Sequence, residues 1–83
     1  MDVKRLLGAN LKRLRTEAGL SQEELALATG VHRTYVSGVE RGLRNPTVTI
    51  VAKLAEGVGA EPSALLDAPV ADGELQHLGQ STS

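Results

Sequence analysis

An all-α fold is what this sequence predicts, and three observations predict it. Apolar residues recur at helical spacing, with Leu7, Leu11 and Leu14 the clearest set. Glycines stand where those periodic stretches stop, and no alternating strand pattern or internal repeat appears between them. Apolar content is 41%, yet Tyr35 is the single aromatic residue, so the core must be built from Leu, Val, Ile and Ala, which suits packed helices. The 83 residues make one small domain. A domain of this size buries only about 60% of its unfolded-chain surface and gains from a partner subunit.

The elements follow in order. A first amphipathic helix runs from Val3 to Ala18, with Lys and Arg between its leucines, and Gly19 stands as its C-cap. Ser21-Gln22-Glu23-Glu24 is an S-x-x-E capping box, which opens a short helix from Gln22 to about Thr29. Gly30 can adopt the left-handed conformation that ends it and turns the chain. A third helix covers about His32 to Arg41, with Val36 and Val39 inward and Arg33, Thr34, Ser37 and Arg41 on other sides. Gly42 closes it, and Leu43-Arg44-Asn45-Pro46 is a loop. Thr47 caps a fourth helix reaching about Gly57, with one apolar stripe of Val48, Val51, Ala55 and Val58 and a second of Ile50 and Leu54. Pro62 begins a short fifth helix ending at Leu66, at the first turn where proline is tolerated. The ordered domain is thus expected over residues 1–67. Residues 68–83 read as a disordered tail, with a brief helix around Glu74 to Leu78.

Composition narrows the function. Without cysteine there are no disulfides, no thiol catalysis and no cysteine-rich zinc site. His32 and His77 lie far apart with no ligand pattern nearby, so neither a metal nor another cofactor is expected. No apolar run approaches the roughly 18 residues of a membrane span, and no leader pattern appears, so a cytoplasmic protein is expected. No nucleophile–base set or phosphate loop stands out, which argues against an enzyme. The net charge of −1 averages two unlike halves. Residues 1–44 hold eight Lys and Arg against five Asp and Glu, net +3, and residues 45–83 hold one against five, net −4. Phosphate binding depends on where positive charge sits, so a basic face is permitted.

Two short helices joined by a tight glycine turn, the second polar outside, form a helix-turn-helix pattern. Ala26 supplies the small residue at the crossing, Gly30 the turn, and Val31, Val36 and Val39 the apolar lock. Here SQEELALATGVHRTYVSGVERGLRNPTVTIVAKLAEGVG resembles the phage-repressor/Cro (XRE) type of helix-turn-helix domain, over about residues 5–67. RTYVSGVERG is especially similar to the recognition helix of controller proteins from restriction–modification systems. The resemblance implies a five-helix repressor-like fold, and a homodimer on a pseudo-palindromic, double-stranded operator. It also implies a role in timing restriction-enzyme expression.

Residue by residue, the resemblance places the base-reading positions on Arg33 and Thr34, with Ser37 one turn later. Arg donates two hydrogen bonds to guanine O6 and N7, and Thr offers a hydroxyl and a methyl to the thymine edge. Gly38 reads nothing, so Arg33 dominates specificity. Gln22 matches the phosphate-anchoring position at a helix N-terminus. His32, Tyr35, Arg44, Asn45 and Ser37 are further phosphate candidates. The family's buried ion pair falls on Arg15 and Glu40. Ile50 departs from the family's small polar residue: it is either extra core or part of a dimer patch with Leu54, Leu65 and Leu66. The patch is preferred, because so small a monomer has reason to hide it. Lys4, Arg5, Lys12 and Arg13 read as a solvated helix face. No small-molecule ligand is expected. The competing function is a protein-interaction module or antitoxin-like accessory regulator on the same fold, which leaves the Arg33–Thr34 surface without a purpose.

Overall fold

The computed structural model describes residues 2–68. Along them run α1 (Val3–Glu17), α2 (Gln22–Thr29), α3 (Arg33–Glu40), α4 (Val48–Gly57) and a 3-10 turn, Pro62–Leu65. Three helices start on a side-chain oxygen, which satisfies amides that have no partner inside the helix. The Asp2 carboxylate accepts from the Lys4 and Arg5 amides at 3.0 and 3.3 Å. Thr47 Oγ1 accepts from the Ile50 amide at 3.2 Å.

At α2 the capping box closes in both directions. Ser21 Oγ accepts from the Glu24 amide at 3.0 Å, and Glu24 Oε1 accepts from the Ser21 amide at 2.8 Å. That bond to the Ser21 amide holds the Glu24 carboxyl below the ordinary glutamate range. A carboxyl whose folded pKa is depressed contributes above its unfolded pKa and loses the contribution as pH falls through the folded value. We expect the Ser21 amide resonance to follow an acid titration with a midpoint below that of free glutamate. Glu24→Gln should abolish the titration while keeping the bond. An unmoved Ser21 amide in the wild type would contradict the box.

The core is aliphatic, as expected: Leu11, Leu25, Val36, Val39, Leu54, Ala55 and Leu65 are wholly buried, with Leu7, Ala26, Val31 and Val58 nearly so. Two glycines inside helices set how closely the helices approach. A Cβ on Gly8 would run into the carbonyl oxygens of Val39 and Glu40, so α1 lies directly on the backbone of α3. A Cβ on Gly57 would stand 2.6 Å from Leu25 Cδ1, which brings α4 against α2. Between α2 and α3 the turn is made at Gly30, whose φ of 73° is left-handed.

Four sequence expectations need correction. Instead of a fifth α-helix over 62–66 there is a four-residue 3-10 turn. Its bonds are i→i+3, from Ala64 N to Glu61 O and from Leu66 N to Ser63 O, both 3.0 Å. Asn10, buried on α1, donates through Nδ2 to the carbonyls of Leu65 (2.9 Å) and Asp67 (2.8 Å), which ties the end of this turn to α1. Val48, placed in one apolar stripe with Val51, Ala55 and Val58, is 86% exposed while Ala55 and Val58 are buried, because it stands in the first turn of α4 at the rim of a surface cleft. Leu54 and Leu65, assigned to a dimer patch, are wholly buried in the monomer and have no surface to offer a partner. The patch is also divided: Ile50 lines a cleft of about 310 Å³ with Val31, His32, Tyr35 and Lys53. Leu66 lines a separate one with Val3, Pro46, Val48, Val51 and Pro62. The physical reason is rotation about α4, where Val48 and Val51 lie roughly 100–200° around the helix from Ile50. The expected tail, apart from Ala68, lies outside the described residues, as does the brief helix expected near Glu74.

Candidate nucleic-acid interface

Everything proposed to touch a ligand sits on or beside α3, so the first question is what holds α3 still. Its inner side is Val36 and Val39, both wholly buried. Its last residue, Glu40, receives a two-pronged bond from Arg15 on α1: Nε to Oε2 at 2.6 Å and Nη2 to Oε1 at 3.1 Å. The Arg15 side chain is 13% exposed and that of Glu40 3%. The Glu40 bond holds the Arg15 pKa above its ordinary value, against the opposite pull of burial. Arg15 also donates to the Leu20 carbonyl at 2.7 Å. Planar, bidentate pairing of this kind specifies orientation as well as attraction. The ion pair read from the sequence is therefore present, and it joins α1, the α1–α2 turn and the end of α3.

Gln22 joins the same network. Its Nε2 donates to Glu40 Oε1 at 3.0 Å, tying the start of α2 to the end of α3. The sequence reading gave Gln22 to a phosphate; the structure adds a partner inside the protein. An apolar lock alone does not prevent two short helices from sliding. The Arg15–Glu40–Gln22 cluster adds directional bonds that do.

On the outer side, His32, Arg33 and Thr34 are exposed at the N-terminal end of α3, and Ser37 is half-buried one turn on. Arg33 and Ser37 are four apart and Thr34 and Ser37 three apart, so the three share one helix face. His32 is the N-cap residue but makes no side-chain cap bond, which leaves the first amides of α3 without a side-chain partner. Tyr35 is half-buried against the core edge. Arg44 and Asn45, in the loop after α3, are exposed. The Arg44 guanidinium carbon lies 5.6 Å from the centre of the Tyr35 ring, within reach of a cation–π attraction. The structure thus brings the base-reading and phosphate candidates to one end and one flank of α3. Gln22, at the start of α2, stands instead against Glu40 at the opposite end of α3.

Three features of this arrangement escape a reading of the pattern. Gly8 signalled itself only as a glycine inside a helical stretch, where it costs about 1 kcal/mol relative to Ala and calls for a packing reason. Asn10 signalled itself as a polar residue between Leu7 and Leu11. The tie from Gln22 to Glu40 spans 18 residues and left no local trace. Among the described residues no three His, Cys, Asp or Glu side chains gather as a metal site. No helix there is long and apolar enough to cross a membrane.

Comparison with known proteins agrees with the geometry. The sequence model of the HTH_3 family, described as "Helix-turn-helix", matches residues 11–65. An uncharacterized HTH-type transcriptional regulator of Sinorhizobium fredii, y4dJ, is 48% identical over 59 residues, covering 71% of this chain and 77% of that protein. The crystal structure of the restriction–modification controller protein C.AhdI from Aeromonas hydrophila is 47% identical. It superposes with a TM-score of 0.72, covering 75% of this chain and 94% of that one. The controller protein C.Esp1396I, solved as a tetramer in complex with its natural 35 base-pair operator, is 29% identical, with a TM-score of 0.72 over 78% of this chain and 86% of that one. The first of these relatives is described as a transcriptional regulator and the other two as restriction–modification controller proteins. With α2 and α3 joined by the turn at Gly30 and α3 presenting its polar face, the chain belongs to the HTH_3 family of XRE-type helix-turn-helix proteins, as a DNA-binding transcription regulator similar to restriction–modification controller proteins.

Proposed function

We propose that this regulator acts as a homodimer on a pseudo-palindromic operator, with α3 in the major groove and Arg33 as its principal base reader. The observation that carries the reading is the two-sidedness of α3. Val36 and Val39 are wholly buried, while Thr34 stands exposed on the opposite side and Arg33 exposed at the edge between the two, in the first turn. Arg33 pairs with the edge of a guanine, Thr34 with the neighbouring base, and Ser37 supports them from the next turn. His32, Tyr35, Arg44 and Asn45 contact phosphates around that face. Gln22 contributes its backbone amide and the amide hydrogen not donated to Glu40. Two such helices, related by a two-fold axis, would read half-sites about one helical turn apart, roughly 34 Å. The complex of C.Esp1396I with its operator supports this assembly. Val3, Val48 and Leu66 are 55%, 86% and 50% exposed around one cleft, a surface that a second subunit would cover. Its resemblance to controller proteins supports regulation of a restriction–modification operon.

The test is footprinting on the DNA upstream of the protein's own gene, wild type beside Arg33→Ala, across a salt series. We expect a footprint of two-fold symmetry that weakens steeply with salt. Arg33→Ala should lose about 1–3 kcal/mol on that site while keeping its affinity for unrelated duplex. Equal binding by the two proteins would remove base reading from Arg33.

A further inference from the structure

We infer that Gly38 is a positioning residue for Arg44: the missing side chain seats the Arg44 stem across α3 and presents its guanidinium as a preset contact for an acceptor on DNA. This rests on the DNA-binding reading above, and it gives a role to a residue that can touch nothing itself.

Gly38 lies one turn after Thr34, at i+4, so a side chain there would stand on the outer face of α3. Gly38 is nevertheless buried. What covers it is Arg44: Cγ, Nε and Cδ lie 2.9, 3.2 and 3.6 Å from where a Cβ would be. Two further restraints hold the arginine there. The amide of Leu43, one residue before it, donates to the Gly38 carbonyl at 2.9 Å. Beyond the stem, the guanidinium carbon sits 5.6 Å from the Tyr35 ring centre. The loop thus supplies, from six residues downstream, the side chain that position 38 lacks. Among the described residues the ion pairs are Arg13–Glu17 and Arg15–Glu40, so Arg44 is a charge without a carboxylate partner. A seated cation on the DNA-facing side loses less rotamer freedom on binding than a free one. Its planar fork suits a phosphate oxygen pair or a guanine edge equally.

The experiment compares wild type, Gly38→Ala, Arg44→Ala and the double variant for binding to the protein's own upstream DNA and to unrelated duplex, over a salt series. Thermal melts of each protein run alongside. Each single variant should bind about tenfold or more weakly, with the double variant no worse than either. The melting temperature of Gly38→Ala should equal or exceed that of wild type, since Ala is the better helix former. Loss on both duplexes, with the salt slope reduced by about 0.9 per bound subunit, marks a phosphate acceptor. Loss on the upstream DNA alone marks a base edge. Either supports the proposal. Should Gly38→Ala fail to fold, Arg44→Lys keeps the charge without the planar stack and should bind as weakly as Arg44→Ala. Wild-type affinity in the Arg44 variants, or additive losses in the double variant, overturns the seat and leaves the DNA reading intact. A wild-type protein that binds neither duplex overturns both.

Discussion

Gly8→Ala is expected to destabilise the domain by about 3 kcal/mol, and Gly8→Val to prevent folding. The direction opposes intrinsic propensity, because Gly to Ala inside a helix otherwise gains about 1 kcal/mol. Here the added methyl would meet the carbonyl oxygens of Val39 and Glu40, which are backbone and cannot swing aside. Relief would require α1 to lift from α3, opening the layer where Leu11, Val36 and Val39 are wholly buried. It would also pull Arg15 from Glu40. At roughly 0.05–0.15 kcal/mol per residue, a chain of this size has little margin for such a loss. Urea denaturation of Gly8→Ala beside an exposed control, Gly59→Ala, measures it. Gly59 has open space around it and a φ of 73°, so its substitution carries backbone strain but no clash. A Gly8→Ala protein as stable as wild type would mean that α1 and α3 are further apart than described.

Arg15→Ala is the second large effect, about 3–5 kcal/mol. The cost comes less from losing an attraction than from stranding what remains: the Glu40 side chain is 3% exposed and would keep only the Gln22 amide. Replacing both partners by apolar residues of similar size, Arg15→Met with Glu40→Leu, should recover most of that loss, since no uncompensated buried charge is left. A double-mutant cycle by urea unfolding reads the coupling. Additive single effects would sink the claim that the pair acts as a unit. DNA binding offers a further check. The double variant should fold yet bind more weakly, because it retains the packing of α3 but not the directional bonds that orient it.

Much of the fold was legible because its signals are local. Ser21 to Glu24 announces a helix start within four residues, and both bonds of the capping box form. Gly30 announces its end, and the leucine spacing of α1 needs no knowledge of the rest of the chain. Val36 and Val39 opposite Thr34, with Arg33 beside it at the edge of the outer face, likewise follow from helix periodicity alone. The site was legible to the extent that it depends on one helix face.

What failed to be legible depends on partners distant in sequence. The fifth helix was expected from Pro62 and an apolar pair; it closes instead as a 3-10 turn, and the chain just after it is held by Asn10, 55 and 57 residues away. Ile50 and Leu54 formed one stripe on paper. Their fates diverged because Leu54 faces the wholly buried core while Ile50 faces Tyr35 across a cleft. Periodicity tells which residues share a face; it does not tell how far a neighbouring helix extends over it.

The sequence by itself determined the order of the α-helices, the capped starts of α2 and α4, the Gly30 turn and the polar face of α3. Each of these is settled within a turn or two of backbone. Only the tertiary structure decided that Gly8 is where α1 rests on α3 and that Gln22 braces Glu40. It alone decided that Leu54 and Leu65 are core, and that Arg44 lies in the space left by Gly38. Those outcomes depend on side chains and backbone meeting across the chain, where a single methyl or carbonyl decides the fit.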